Sequence, residues 1–207
     1  MLRTISRRMA IAVSGAATAV LADPARADVT TPSQTAGPFY PKPGQRVADQ
    51  DWDLVQVEGE VRAAGGHVMW LLGQVLDAKG TPQPDVRVEI WQCDVNGRYH
   101  HPRDDAADRP LDKGFQGFGA AVTDGQGLYR FRTIRPVAYP GRTPHVHARL
   151  VTPEGRELVT QIYMVDEPGN RSDFIFRSLG RRGQAAVSID PVRRDDGDLE
   201  ALFNFVV

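Results

Sequence analysis

Hydrophobic and polar positions alternate with a period of two along several stretches of this chain, and long helical periodicity is scarce. Val86, Val88 and Ile90 alternate with Arg87, Glu89 and Trp91, the pattern of a half-buried strand. Residues 128–134 alternate in the same way, and residues 68–77, 145–151 and 157–164 read as further strands. Residues 186–189 and 202–207 read as closing strands. Turn signals separate these runs, at Ala78 to Gly80, Thr123 to Gly127 and Pro153 to Gly155. Residues 31–41 carry Pro32, Gly37, Pro38 and Pro41, which predicts an extended arm that Phe39 and Tyr40 would anchor to a core. Residues 102–119 form a charged, Gly-rich excursion without periodicity, and loops of that length in a small domain are often functional. Residues 170–184 have helical character and gather Arg171, Arg177, Arg181 and Arg182. The pattern predicts an all-β protein: a single antiparallel β-sandwich over residues 28–207, with its site in long loops between strands.

Composition narrows the class without changing that picture. The 207 residues are 41% hydrophobic and 25% charged, enough for one domain with one sizeable core. The formal net charge of −1 gives no indication of nucleic acid or of a membrane surface as a partner. Residues 1–27 read as an export signal. Arg3, Arg7 and Arg8 make a basic start, and the apolar run from Met9 to Leu21 is too short to span a bilayer, so no stable membrane anchor is expected. Ser6 to Ile11 resembles a twin-arginine signal, and cleavage is expected after Ala22 or Ala27. The expected location is therefore periplasmic or extracellular. Cys93 is the only cysteine, so no internal disulfide forms, and its strand-like surroundings read it as a small buried hydrophobe.

One stretch is unusual chemically. Residues 139–147 hold Tyr139, Pro140, Gly141, Arg142, Thr143, Pro144, His145, Val146 and His147. On a strand His145 and His147 share one face and Val146 points to the other, a two-point metal claw. Pro140 and Gly141 make a bend that could fold Tyr139 back over the histidines. Two surface histidines and an ordinary loop tyrosine would read the same way in isolation.

Further motifs join this one. Residues 33–38, Val88 to Gln92, Gly97 to Tyr99, Thr123 and Asp124, residues 129–134, Tyr139 to His147, and Thr160 to Tyr163 together resemble the intradiol ring-cleavage dioxygenases, nearest to the protocatechuate 3,4-dioxygenase group. The resemblance implies a mononuclear Fe(III) site whose ligands match Tyr99, Tyr139, His145 and His147. Tyr139 and His147 match the axial pair, Tyr99 and His145 the equatorial one. It implies that O₂ cleaves a catechol-type aromatic diol to a muconate-type diacid, with both oxygen atoms incorporated. Tyr139 matches a ligand that leaves the metal and takes a substrate proton. Arg142 matches the arginine that stabilises carbanion character in the ring, and Gln161 a glutamine that supports the site. Two phenolates and a hydroxide would balance the charge of Fe(III), and anionic oxygen donors with imidazole suit that ion. The sequence departs from the protocatechuate enzymes in its short 139–145 segment and in having no tryptophan after Pro140, which alters the wall of the substrate pocket. Self-association into a homo-oligomer is left open. The alternatives are a non-catalytic β-sandwich binding module and a zinc-binding hydrolase on the same scaffold.

Overall fold

A computed structural model describes residues 29–165 and 167–207, so the export signal expected at 1–27 lies outside the described residues. Among the described residues, ten strands form two five-stranded sheets. The first is built on β1 (Val68–Leu76), flanked by β4 (Leu128–Ile134), antiparallel, and by β9 (Leu199–Leu202) and β10 (Phe205–Val206), both parallel to β1. The short β8 (Val192–Arg193) pairs with β9. The second sheet has the order β3 (Phe118–Val122), β2 (Arg87–Trp91), β5 (His145–Val151), β6 (Glu157–Met164), β7 (Ser188–Ile189). Two short helices, α1 (Phe174–Ser178) and α2 (Gly180–Ala186), lie between β6 and β7. Among the described residues no helix is long and apolar enough to cross a membrane.

The expectation of a purely antiparallel arrangement is corrected at three pairs: β1 with β9, β1 with β10, and β6 with β7. A parallel pair needs a long crossover, and the helical segment between β6 and β7 supplies one. β9 and β10 are separated by Phe203 and Asn204, where Phe203 N–H donates to Leu72 O and Gln74 N–H donates to the Asn204 side chain. Gly73 lies opposite, and a Cβ there would stand 1.7 Å from Phe203 O. β3 is a second difference, because the unpatterned excursion ends in a strand. Its Gly119, Ala120 and Ala121 carry too little side chain to show a period. Gly119 is small because Leu54 and the Asp51 carbonyl pack on it.

Alternation decides what each face of the second sheet does. Val88, Ile90, Val146, Ala148, Leu150, Ile162 and Met164 enter a core shared with Met69, Leu71, Val75, Phe131 and Phe205 of the first sheet. Glu89, Trp91, His145, His147, Gln161 and Tyr163 are on the other face, yet all are buried. The arm covers them. Gln34 N–H donates to Val159 O at 2.7 Å, Gln161 Nε2 donates to Thr35 O at 2.9 Å, and Tyr40 donates to Glu89 at 2.8 Å. Phe39 and Tyr40 pack into a second apolar cluster with Trp91, Tyr99 and Phe118, the anchoring role expected of them.

Candidate metal centre

β5 delivers both imidazoles to the covered face. His145 Nδ1 lies 2.7 Å from Thr143 O, so this nitrogen carries the proton and donates, leaving the Nε2 lone pair free. His145 Nε2 and His147 Nε2 face each other at 3.2 Å. Burial lowers the His145 pKa to about 4, and burial, then the neighbouring His145 and Arg142, holds His147 well below its usual value. Both rings are therefore neutral, the form that ligates metals. Trp91 on the adjacent strand stacks on His147 with centroids 4.8 Å apart and planes 5° apart.

The two phenols arrive from loops. Residues 139–142 close a type II turn: Pro140 sits at its second position, Gly141 has φ of +83°, and Arg142 N–H donates to Tyr139 O at 2.9 Å. The Tyr139 ring then lies 5.6 Å from that of His145. Tyr99 leaves β2 through a loop organised by the buried Asp94, whose carboxylate accepts from the N–H groups of Asn96, Arg98 and Asp112. Asp104 accepts the Tyr99 N–H itself at 2.8 Å. The Tyr99 and Tyr139 rings meet edge to face at 5.4 Å, and Phe39 from the arm stacks on Tyr99 at 4.7 Å. Gly97 lets the two loops touch, since a Cβ there would stand 3.0 Å from Ala138 O.

Arg142 is held from three directions. Its Nε donates to Asp173 at 2.8 Å, one Nη donates to Gln161 Oε1 at 2.6 Å, and the other lies 3.5 Å from the Tyr139 oxygen. The Tyr163 hydroxyl lies 2.8 Å from Gln34 Oε1 and 2.9 Å from Gln161 Oε1, its one proton shared between them, which ties this group back to the arm.

The donor set fits a trivalent cation. The Tyr99 hydroxyl is buried without a hydrogen-bond partner, which ordinarily costs about 1–3 kcal/mol. Burial pushes its pKa well above the usual phenol value, so only a nearby cation would favour its phenolate. Tyr139 is raised by burial too, with Arg142 pulling the other way. An ion between these oxygens and the two Nε2 atoms would remove both costs. His147 Nδ1 also lacks a partner.

The six side chains singled out in the sequence, Tyr99, Tyr139, Arg142, His145, His147 and Gln161, are thus gathered in one cluster. Sequence reasoning gave no part in the site to Thr143, Asp173, Tyr163 or Trp91, and expected Phe39 only to anchor the arm. Asp173 had a local signal, as an aspartate directly before the apolar Phe174, Ile175 and Phe176, the mark of a helix N-cap.

Two mainly β sheets with a Tyr and His donor cluster under a covering arm define the class, a β protein with a small oxygen-and-imidazole site. Comparison with known proteins makes this specific: the dioxygenase family profile matches residues 36–206, and the chain belongs to the intradiol dioxygenase family. The protocatechuate 3,4-dioxygenase beta chain of Burkholderia cepacia is 42% identical over 120 residues, 54% of this chain and 51% of that one. The hydroxyquinol 1,2-dioxygenase of Corynebacterium glutamicum is 30% identical over 158 residues, 67% of this chain and 48% of that one. This chain spans about half the length of these curated relatives, 51% and 48% respectively. Among solved structures, the dioxygenase domain of a dioxygenase and carbohydrate-binding fusion from Streptomyces sp. SirexAA-E superposes with a TM-score of 0.66. It has 28% identity, with 86% of this chain and 98% of that one covered.

Proposed function

We propose that this chain is a ferric dioxygenase that opens the ring of a catechol-type diol with O₂, giving a muconate-type dicarboxylic acid. The observation that carries the reading is the convergence of two phenols and two imidazoles in one buried cluster, with the histidine Nε2 atoms 3.2 Å apart. Relatives named as protocatechuate, hydroxyquinol and catechol dioxygenases support it. The two sheets sharing one core support the sandwich reading of the fold.

Tyr99, Tyr139, His145 and His147 would hold the iron. Iron(III) would supply Lewis acidity toward a bound catecholate and the electron transfer that O₂ chemistry requires. The protein's own residues do the rest. Tyr99 is enclosed and stays fixed. Tyr139 is only half-buried, and its oxygen, a phenolate when a cation holds it, would be the candidate to accept a proton from an incoming diol. Burial favours the neutral form of His145 and His147, the form that would ligate the ion. The Arg142 guanidinium, braced by Gln161 and Asp173, presents fixed positive charge beside Tyr139, where negative charge would develop on the diol. The arm, with Phe39 against Tyr99, excludes water from one side. The basic start and apolar run of residues 1–27 support export, so that the substrate is an aromatic met outside the cytoplasm.

The test is metal analysis, visible absorption and oxygen uptake of the purified protein over a panel of catechols. The expected result is bound iron, the wine-red band of ferric tyrosinate, and O₂ consumption with formation of a ring-opened diacid. Colourless, iron-free protein that remains inert after iron is added would overturn the reading.

A further inference from the structure

Asp173 belongs to no strand of the site and lies just ahead of α1, yet its side chain is fully buried against it. Its two carboxylate oxygens divide their work. Oδ1 accepts from Ile175 N–H at 3.0 Å and Phe176 N–H at 2.9 Å, capping the helix. Oδ2 accepts from Arg142 Nε at 2.8 Å and from Thr143 N–H at 3.0 Å. Thr143 is also the residue whose carbonyl accepts the His145 Nδ1 proton at 2.7 Å. A second contact holds the same residue from the same side, as the Thr143 hydroxyl donates to Asn170 Oδ1 at 2.9 Å. Gly169 packs so closely there that a Cβ would stand 2.9 Å from the Thr143 hydroxyl oxygen.

We propose that Asp173 is a positioning residue that sets two groups of the site at once: the guanidinium of Arg142 directly, and the imidazole of His145 through Thr143, whose N–H it holds and whose carbonyl meets the ring. The proposal rests on the functional reading above for its catalytic consequence, but not for its structural one. Arg142 has freely rotating bonds up to its guanidinium, and besides the 2.6 Å bond to Gln161 its Nη atoms have only long contacts, 3.5 Å to Tyr139 and 3.4 Å to Tyr163, which hold its plane weakly. The charge-assisted bond from Nε to a buried carboxylate fixes the plane, so that one Nη meets Gln161 and the other faces Tyr139. The bond from Thr143 N–H to the same oxygen fixes the tilt of the loop, and with it the carbonyl that selects the His145 tautomer. The helical segment after β6 thereby acts as a clamp on the 142–145 loop.

The substitution Asp173→Asn separates the two oxygens. Asparagine caps helices about as well as aspartate, so its one oxygen can keep the bonds to Ile175 and Phe176. Its NH₂ group then meets the N–H groups of Arg142 and Thr143, donor against donor. Two measurements follow. In metal-free protein, the nitrogen and proton resonances of the His145 ring report its Nδ1–H bond without reference to activity. In iron-loaded protein, kcat and KM are measured for D173N, R142Q and the double variant.

The expected results are a shifted or broadened His145 Nδ1–H resonance and a kcat at least ten-fold lower with a smaller change in KM. The double variant should be less impaired than the product of the two single effects, because both act partly through the same guanidinium. An unchanged His145 resonance, or kcat losses that multiply independently, would overturn the proposal. Should D173N fold poorly, Asp173→Ser keeps a capping oxygen, removes the clamp and carries the same expectations. If no catechol is turned over by the native protein, the functional reading fails while the His145 resonance still decides the clamp.

Discussion

The indole of Trp91 lies flat on the imidazole of His147, with planes 5° apart and centroids separated by 4.8 Å. The stack follows from pairing, since these two residues face each other across β2 and β5. It leaves the His147 ring little room to rotate. Trp91→Ala should cost about 3–5 kcal/mol as a large-to-small change in a packed interior. Trp91→Phe should keep most of the stability but lower the iron content of protein purified under limiting metal. Thermal melting and metal analysis of the two variants check this, and full loading of W91F would show that the stack does not hold the ligand.

Tyr99 gives a test with opposite signs in the two metal states. Its hydroxyl is buried and unpartnered when no cation is present. Tyr99→Phe should therefore leave the metal-free protein as stable as the native one, or stabilise it by up to about 1–3 kcal/mol. In the iron-loaded protein the same change should weaken the visible band and abolish most turnover. Melting temperatures with and without iron, read beside the absorption spectrum, separate the two effects.

Glu89 ties the arm to the sheet. It accepts from Tyr40, Arg87 and Arg149 at 2.8, 2.9 and 3.2 Å. Burial would raise its pKa, but these hydrogen bonds outweigh burial and hold it below the ordinary glutamate value. A folded-state pKa below the unfolded one means stability that is complete above the unfolded value, about 4.3. It fades as pH falls through the folded value. Native protein should be more stable than E89Q at pH 7, and the gap should close on acidification below about pH 4. Urea titrations over that range measure it, and a gap independent of pH would remove Glu89 from the account.

Cys93 is buried beside Val137, and burial pushes its thiol up to about 12. At pH 8 the thiolate is then on the order of one part in 10,000, far too little for ready alkylation. Iodoacetamide should leave the native protein unmodified and label it fully in denaturant, as mass spectrometry would show. Rapid labelling of the folded chain would mean that this part of the core opens.

Gly73 marks where two strand segments cross closely. A Cβ at this position would overlap the Phe203 carbonyl. Gly73→Ala should therefore cost more than about 4 kcal/mol, in the range reserved for a named steric defect. Chemical denaturation checks it, and a loss under about 1 kcal/mol would mean that the β9 to β10 junction yields easily.

How much of this was legible beforehand follows from what a local pattern encodes. The strands at 128–134, 145–151 and 157–164 agree with β4, β5 and β6 to the residue, because proline and glycine turn signals bound them locally and, at 128–134, alternation marks the strand itself. The period of two along a strand put His145 with His147 on one face and Val146 on the other, which the structure shows to be the core face, and Pro140 with Gly141 announced the turn that returns Tyr139. β3 stayed hidden because glycine and alanine carry no period.

The sequence by itself determined which residues could face one another along a strand, since that depends only on neighbours two positions apart. The tertiary structure alone decided which distant segments would cover that face. The arm over Trp91 and His147, the parallel return of β9 and β10, and the Asp173 carboxylate under Arg142 join residues far apart in the chain. Such contacts form when loop closure and burial are settled for the whole molecule together, and no short window of sequence contains that balance.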